Sequence, residues 1–281
     1  MDLANITNGI ARKVEANNPI VEDDYTKDGL LYCGNCHTKK QTQITLFGQN
    51  KIVPCLCRCA TEKRDKAEQE RQERERQQRI EKNRYNGFAE SVMSKWNFAA
   101  DDNSDPKTIN AIKSYVDNFG EMRKNGKGLL LYGRCGSGKT FAAACAANAL
   151  IDKGYTCYMT NFSRIANTIS GLYEKQEYLD SLNNYSLLVL DDLGAERATE
   201  YMNEIVFSII DGRYRANLPM IITSNLTIEE LKHPKGIAEQ RVFNRILERC
   251  FPLEVNGADR RKKIICNDYS SMKQMLGLND Y

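Results

Sequence analysis

Eight consecutive residues constrain this chain more than any others: Gly133-Arg134-Cys135-Gly136-Ser137-Gly138-Lys139-Thr140. They follow the apolar run Leu129–Tyr132 and open an Ala-rich stretch, Phe141–Ile151, with helical spacing. A strand, a glycine-rich turn and a helix in that order make a cradle for phosphate. Glycines let backbone N–H groups approach the anion closely, and the helix N-terminus adds positive potential. On this reading Gly133, Arg134, Cys135, Gly136, Ser137, Gly138, Lys139 and Thr140 hold the phosphates of ATP. Lys139 would reach the β- and γ-phosphates and Thr140 would ligate Mg²⁺. The bland alternative, a glycine-rich turn with an incidental lysine, does not account for the strand before it and the helix after it.

Two further runs end in polar groups suited to the same chemistry. Leu187 to Leu190 is a four-residue apolar run delivering Asp191 and Asp192, the form of a buried strand carrying acids at its C-terminal end. Ligands of open α/β sheets gather at that edge. Asp191 is expected to hold Mg²⁺, directly or through water, and Asp192, on the other side of the pleat, to polarise an attacking water. Asp192 could instead only cap the following turn. Pro219–Thr223 leads likewise into Ser224 and Asn225, and Asn225 at a strand tip can hold the water or the γ-phosphate. Apolar runs at 128–132, 155–159, 187–190, 220–223 and 251–255 alternate with helical spacing at 141–151 and 204–214. That alternation predicts a parallel sheet covered on both faces. The run at 155–159 is the extra strand between phosphate loop and acid that separates such ATPases from simpler phosphate-loop kinases.

Gly133–Thr140, Leu187–Glu196 and Ile221–Leu226 together resemble the AAA+ ATPases of the bacterial helicase-loader group, the DnaC/DnaI type. The IstB transposition helper is similar over the same region, about residues 85–265. The resemblance implies an α/β AAA+ core with a five-stranded parallel sheet of order 5-1-4-3-2 and ATP-dependent assembly into an oligomer. It extends to Arg241, Arg245 and Arg249, which fall at i, i+4 and i+8 on one helix stripe. In the family an arginine here reaches the γ-phosphate held by a neighbouring subunit, and Arg245 matches that position best; a basic solvated face is the alternative. The catalytic set implied is Lys139, Asp192, Asn225 and Arg245. Arg260, after Gly257-Ala258-Asp259, resembles the family's second nucleotide-sensing arginine. It could instead join Arg261, Lys262 and Lys263 in a phosphate-contacting patch.

Ten cysteines are distributed unevenly: Cys33, Cys36, Cys55, Cys57 and Cys59 fall within 27 residues. Clustering in one place favours metal over a disulfide scaffold. Two short knuckles about twenty residues apart suit tetrahedral Zn²⁺ in a closed structural site. We select Cys33, Cys36, Cys57 and Cys59, the last two because related loaders keep the final C-x-C; Cys55 or His37 could replace one. Residues 61–84 carry nine Lys/Arg and seven Asp/Glu with Ala67 and Ile80 as the only apolar side chains. They read as a solvated helix that connects rather than packs. The expected organisation is a zinc-binding module at 1–60, a charged helical linker at 61–86, and the ATPase domain at 87–281 with an adaptor segment at 87–125.

Forty basic against 37 acidic residues leave a formal charge of +3, so nucleic-acid binding would come from local charge. No run approaches the ~20 apolar residues of a membrane span. The N-terminus lacks the basic-then-apolar pattern of a signal peptide, and a cytoplasmic protein without membrane partners is expected. The resemblance implies a loader that places a ring-shaped replicative helicase on single-stranded DNA, with ATP hydrolysis as a switch. The alternatives are a transposition helper binding duplex DNA and a transposase, or a metabolic kinase, which Asp191/Asp192, Asn225 and the Arg245 stripe disfavour.

Overall fold

The computed structural model describes residues 14–46, 48–195, 199–234, 236–258 and positions 269, 272, 273, 275, 276 and 278. The chain divides into two compact units, Met1–Gln78 and Arg79–Tyr281. Among the described residues no helix is long and apolar enough to cross a membrane.

The first unit is built from two antiparallel hairpins, β1 (Tyr25–Lys27) with β2 (Leu30–Tyr32), and β3 (Gln41–Leu46) with β4 (Gln49–Pro54). So small a unit has little apolar core, and polar ties take its place. The Lys40 ammonium lies 2.6 Å from the buried Asp24 carboxylate, which also accepts from the Gly34 N–H at 3.1 Å and so pins the first cysteine knuckle.

Helix α1 (Arg58–Asn86) starts three residues before the expected 61, because the Thr38 hydroxyl accepts from the Arg58 N–H at 2.9 Å and caps it. Most of it is solvated, with ion pairs such as Arg71–Glu68 at 2.8 Å. The expectation that it buries no face is corrected at its last turns: Ile80 is 8% exposed and joins the core of the second unit. Arg84 there donates to Asn148 at 2.8 Å and pairs with Asp152.

The second unit is an α/β fold. Its elements, in order, are α2 (Pro106–Asp117), α3 (Phe119–Lys124), β5 (Gly128–Tyr132), α4 (Lys139–Asp152), β6 (Cys157–Asn161), α5 (Phe162–Ser170) and α6 (Lys175–Ser181). There follow β7 (Leu187–Leu193), α7 (Glu200–Arg215), β8 (Met220–Ser224), α8 (Ile228–Lys232), α9 (Ile237–Arg249) and β9 (Cys250–Glu254). The five strands form one parallel sheet of order β6-β7-β8-β5-β9. Chain-wide strand numbers differ from the expected 5-1-4-3-2 because four strands precede this sheet. Numbered within the sheet and read from β9, the order is 5-1-4-3-2.

The period of two along each strand sorts the core into two layers. Leu129, Leu131, Leu187, Val189 and Ile221 meet α2 and α4, whereas Leu130, Leu188, Leu190, Met220 and Ile222 meet α5, α7 and α9. The buried small residues at 142–147, all alanine except Cys145, let α4 lie close on the sheet. Both edges are protected. Gly87–Ala89 flanks β6, with Met159 N–H donating to the Gly87 carbonyl at 2.8 Å and Ala89 N–H to the Met159 carbonyl at 2.9 Å. At the other edge, Val255 N–H points to the Tyr132 carbonyl on β5. By alternation the nitrogen of Pro252, which has no hydrogen to donate, faces outward.

Candidate functional site

The phosphate loop runs from the tip of β5 into α4, where both ends are held. Gly133 sits at φ +144, and a Cβ there would lie 2.5 Å from the Val255 carbonyl oxygen, so no other residue fits without displacing the chain after β9. That segment touches the loop again at Gly257, whose added Cβ would lie 2.4 Å from the Ser137 carbonyl oxygen. The Asp105 carboxylate, which caps α2, anchors it by accepting from Asn256 N–H at 3.0 Å. Sequence reasoning missed this strap.

Lys139 is 5% exposed, and its ammonium donates to the carbonyls of Gly133 and Arg134, both at 2.9 Å, and to Asn225 Oδ1 at 2.8 Å. The Ser137 hydroxyl is buried without a hydrogen-bond partner. A buried orphan hydroxyl is costly, and it fits a group that brings acceptors into the loop, as a phosphate does.

The acids stand opposite. Thr140 Oγ1 donates to Asp191 at 3.0 Å, joining the expected magnesium pair directly. Asp191 is 8% exposed, and burial, with the neighbouring Asp192 charge, holds its carboxyl above the usual range. Hydrogen bonds from Thr223 and Thr140 oppose that rise. A buried carboxylate in this state gains from a cation, and Thr140 with Asp191 is a hard-oxygen pair of the kind Mg²⁺ takes. Asp192 differs in both backbone and exposure. The register of β7 against β8 slips between Leu190 and Leu193, Asp192 has φ +58, and its side chain is exposed. Asn225 Nδ2 lies 3.5 Å from its carboxylate.

Thr223, given no role by the sequence reading, joins the two acids. Its hydroxyl donates to Asp191 at 2.6 Å and accepts from the Asp192 N–H at 2.9 Å. A polar residue directly after the apolar run Met220–Ile222 was the available signal. Lys139, Thr140, Asp191, Asp192, Asn225 and Thr223 thus form one hydrogen-bonded set at the C-terminal edge of the sheet.

The alignment of this chain with a protein-family model, described as IstB-like ATP binding protein, spans residues 61–266. The chain belongs to the IstB-like ATP-binding family. This IstB-like chain is 31% identical over 176 residues to the replicative helicase loader DnaI of Bacillus subtilis (strain 168), covering 57% of this chain and 56% of that protein. It spans only about half the length of that relative. A solved structure of DnaI matches 63% of this chain and 98% of that one at 25% identity and a TM-score of 0.53. A crystal structure of the DnaC helicase loader matches 59% of this chain and 99% of that one, at 25% identity and a TM-score of 0.50.

Arg245 stands apart from the phosphate loop set. On α9 its guanidinium lies 2.8 Å from Asp211 and 4.7 Å from the Phe207 ring centroid. Arg249 donates to Asn217 at 2.8 Å, and only Arg241 of the stripe is fully exposed, so the three do not form a uniformly solvated face. Arg260, Arg261, Lys262 and Lys263 lie outside the described residues.

In the first unit the sulfurs of Cys33, Cys36 and Cys57 all lie within 4.8 Å of one another, a donor set that suits zinc. Against the upward push of burial, hydrogen bonds from Thr38 and Cys59 bring the Cys36 thiol down to about 5. Cys59, the fourth ligand expected, is not in that 4.8 Å group; its sulfur accepts from the Asn35 side-chain amide at 3.2 Å, and its thiol is pushed up to about 11, chiefly by a hydrogen bond with Cys36. Cys55 points elsewhere, its thiol 3.5 Å from the Lys39 carbonyl, and His37 packs 5.9 Å from the Tyr25 ring.

Proposed function

We propose that this chain is an ATP-switched loader that places a ring-shaped replicative helicase on single-stranded DNA. The observation that carries the reading is the set Lys139, Thr140, Asp191, Thr223, Asp192 and Asn225, in a family member similar to DnaI across its ATPase region. The phosphate loop holds the triphosphate, with Lys139 turning from its own carbonyls toward the β- and γ-phosphates. Thr140 and Asp191 hold Mg²⁺, which when bound offsets charge on the transferred phosphoryl group. Asp192 and Asn225 together orient a water, Asp192 taking its proton. Arg245 acts on the nucleotide of a neighbouring copy, so hydrolysis depends on assembly and serves as a switch. Zinc on Cys33, Cys36, Cys57 and Cys59 holds the first unit, which serves as the hook for the helicase. A second reading, the transposition helper, rests on the match to an IstB-like family model and differs in partner and DNA.

Two experiments test the proposal. Lys139→Ala abolishes nucleotide binding, and Asp192→Asn retains binding while slowing phosphate release by ~10²-fold or more; undiminished turnover in Asp192→Asn removes that residue from catalysis. Co-purification with the replicative helicase of the same organism supports the loader. Capture of a transposase, with preference for duplex over single-stranded DNA, supports the helper.

A further inference from the structure

Phe207, Asp211 and Tyr214 fall at i, i+4 and i+7 of α7 and make one stripe against α9. Arg245 lies in that stripe. Its guanidinium carbon is 4.7 Å from the Phe207 centroid and 5.6 Å from the Tyr214 centroid, and its Nη2 is 2.8 Å from Asp211 Oδ1. The Tyr214 hydroxyl is fixed in turn by Glu248 at 2.7 Å, and Arg249 stacks on the same ring at 4.7 Å. The second oxygen of Asp211 is taken by Arg215 at 2.7 Å. The Asp211 side chain is 9% exposed, and burial of a carboxylate so near the surface is tolerated because two guanidiniums neutralise it.

The other donors of Arg245 are little used. Nη1 makes one long bond of 3.4 Å to the Arg241 carbonyl, Nε is buried without a hydrogen-bond acceptor, and the Nη2–Asp211 contact is an ion pair without hydrogen-bond geometry, Oδ1 itself being buried without a hydrogen-bond partner. A guanidinium is a rigid plane with five N–H donors, so an opposite charge held against one edge and rings packed on its face fix where the remaining edge points. We propose that Asp211 is a positioning residue: it holds one edge of Arg245 between the two rings so that the opposite edge meets a neighbour's γ-phosphate in one orientation. This rests on the reading of Arg245 as the group acting across the subunit boundary. Arg245 then arrives already ordered, and little rotamer entropy is lost when the boundary forms.

The test uses the full chain, with ATP turnover followed as protein concentration rises. Asp211→Asn keeps the shape and removes the charge. Its ATP affinity when dilute stays that of the wild type, while the assembled kcat falls ~10- to 100-fold, as for a displaced catalytic group. KM does not move. Asp211→Glu, which restores the charge, recovers turnover that Asn does not. Mixing Asp211→Asn with Asp192→Asn chains restores turnover, because one class of boundary then joins an intact acid to a well-held arginine; a general folding defect would not respond to mixing. If Asp211→Asn fails to fold, Tyr214→Leu, which removes one ring beside Arg245, decides by the same kcat and mixing readouts. Unchanged or raised turnover in Asp211→Asn, or no rescue in particles shown to be mixed, overturns the proposal. Arg245→Ala separates the two levels. Full turnover in that variant removes the cross-boundary reading, whereas its loss beside a normal Asp211→Asn removes only the positioning role.

Discussion

Asn148 interrupts the most apolar helix of the chain, and its replacement tests how the phosphate-loop helix is fastened to the segment before it. It is 1% exposed, and its amide nitrogen donates to the carbonyls of Met93 at 2.9 Å, Trp96 at 2.8 Å and Ala144 at 3.1 Å. Its oxygen accepts from Arg84 at 2.8 Å. In Asn148→Ala the Met93 carbonyl keeps the Trp96 N–H at 3.2 Å and Arg84 keeps Asp152, so the main orphan is the Trp96 carbonyl. One orphaned, partly buried carbonyl costs ~1–3 kcal/mol and a further lost hydrogen bond ~1, offset by ~0.5 from the helix preference of alanine. The net loss is ~1.5–3.5 kcal/mol, or ~3–14 °C in Tm for a unit of this size. Thermal unfolding followed by circular dichroism measures it. Asn148→Asp, nearly isosteric, replaces the donor by an oxygen facing three carbonyls and should be less stable than the alanine variant at pH 8. An alanine variant within ~0.5 kcal/mol of wild type would refute the fastening. An aspartate variant at least as stable as alanine at pH 8 would refute the donor argument.

Asp191→Asn should raise the Tm of the nucleotide-free protein yet abolish the extra stabilisation by ATP with Mg²⁺, both read by thermal shift. The sign follows from the raised carboxyl: stability is present below its unfolded pKa and lost as pH rises through the folded one, and a neutral amide escapes that loss. A lower Tm without nucleotide would show that the ionised acid is not under strain. Metal analysis should find about one zinc per chain, lost in Cys57→Ser and kept in Cys55→Ser. Equal loss in both would bring Cys55 into the ligand set.

The phosphate loop was legible because everything it needs is local: a strand, a glycine pattern and a helix within two dozen residues. Gly128–Tyr132 was read with its observed bounds for the same reason. The strand expected at 155–159 begins at Cys157 instead, because Tyr155 N–H closes the turn on the Leu150 carbonyl and its ring packs 4.8 Å from Phe119. Ile80 was read as solvated because a single apolar residue in a charged helix has no periodicity to reveal a buried face. The pairing of Asp211 with Arg245 joins residues 34 positions apart, and the strap at Gly257 meets a loop 120 positions earlier. Only the fold brings such partners together. Thr223 lies between these cases, a visible polar residue whose role depends on the strand beside it.

We propose that this chain opens or delivers a helicase ring under the control of ATP. A covalently closed single-stranded DNA circle tests it most directly, because a closed ring cannot thread onto it from an end. The replicative helicase of the same organism is incubated with such circles, with and without this chain and ATP, and stably bound helicase is counted after gel filtration. Retention is expected to require the chain and ATP, and to fall to background with Lys139→Ala. Helicase retained equally without the chain, or never retained with it while duplex DNA and a transposase are bound, would contradict the account.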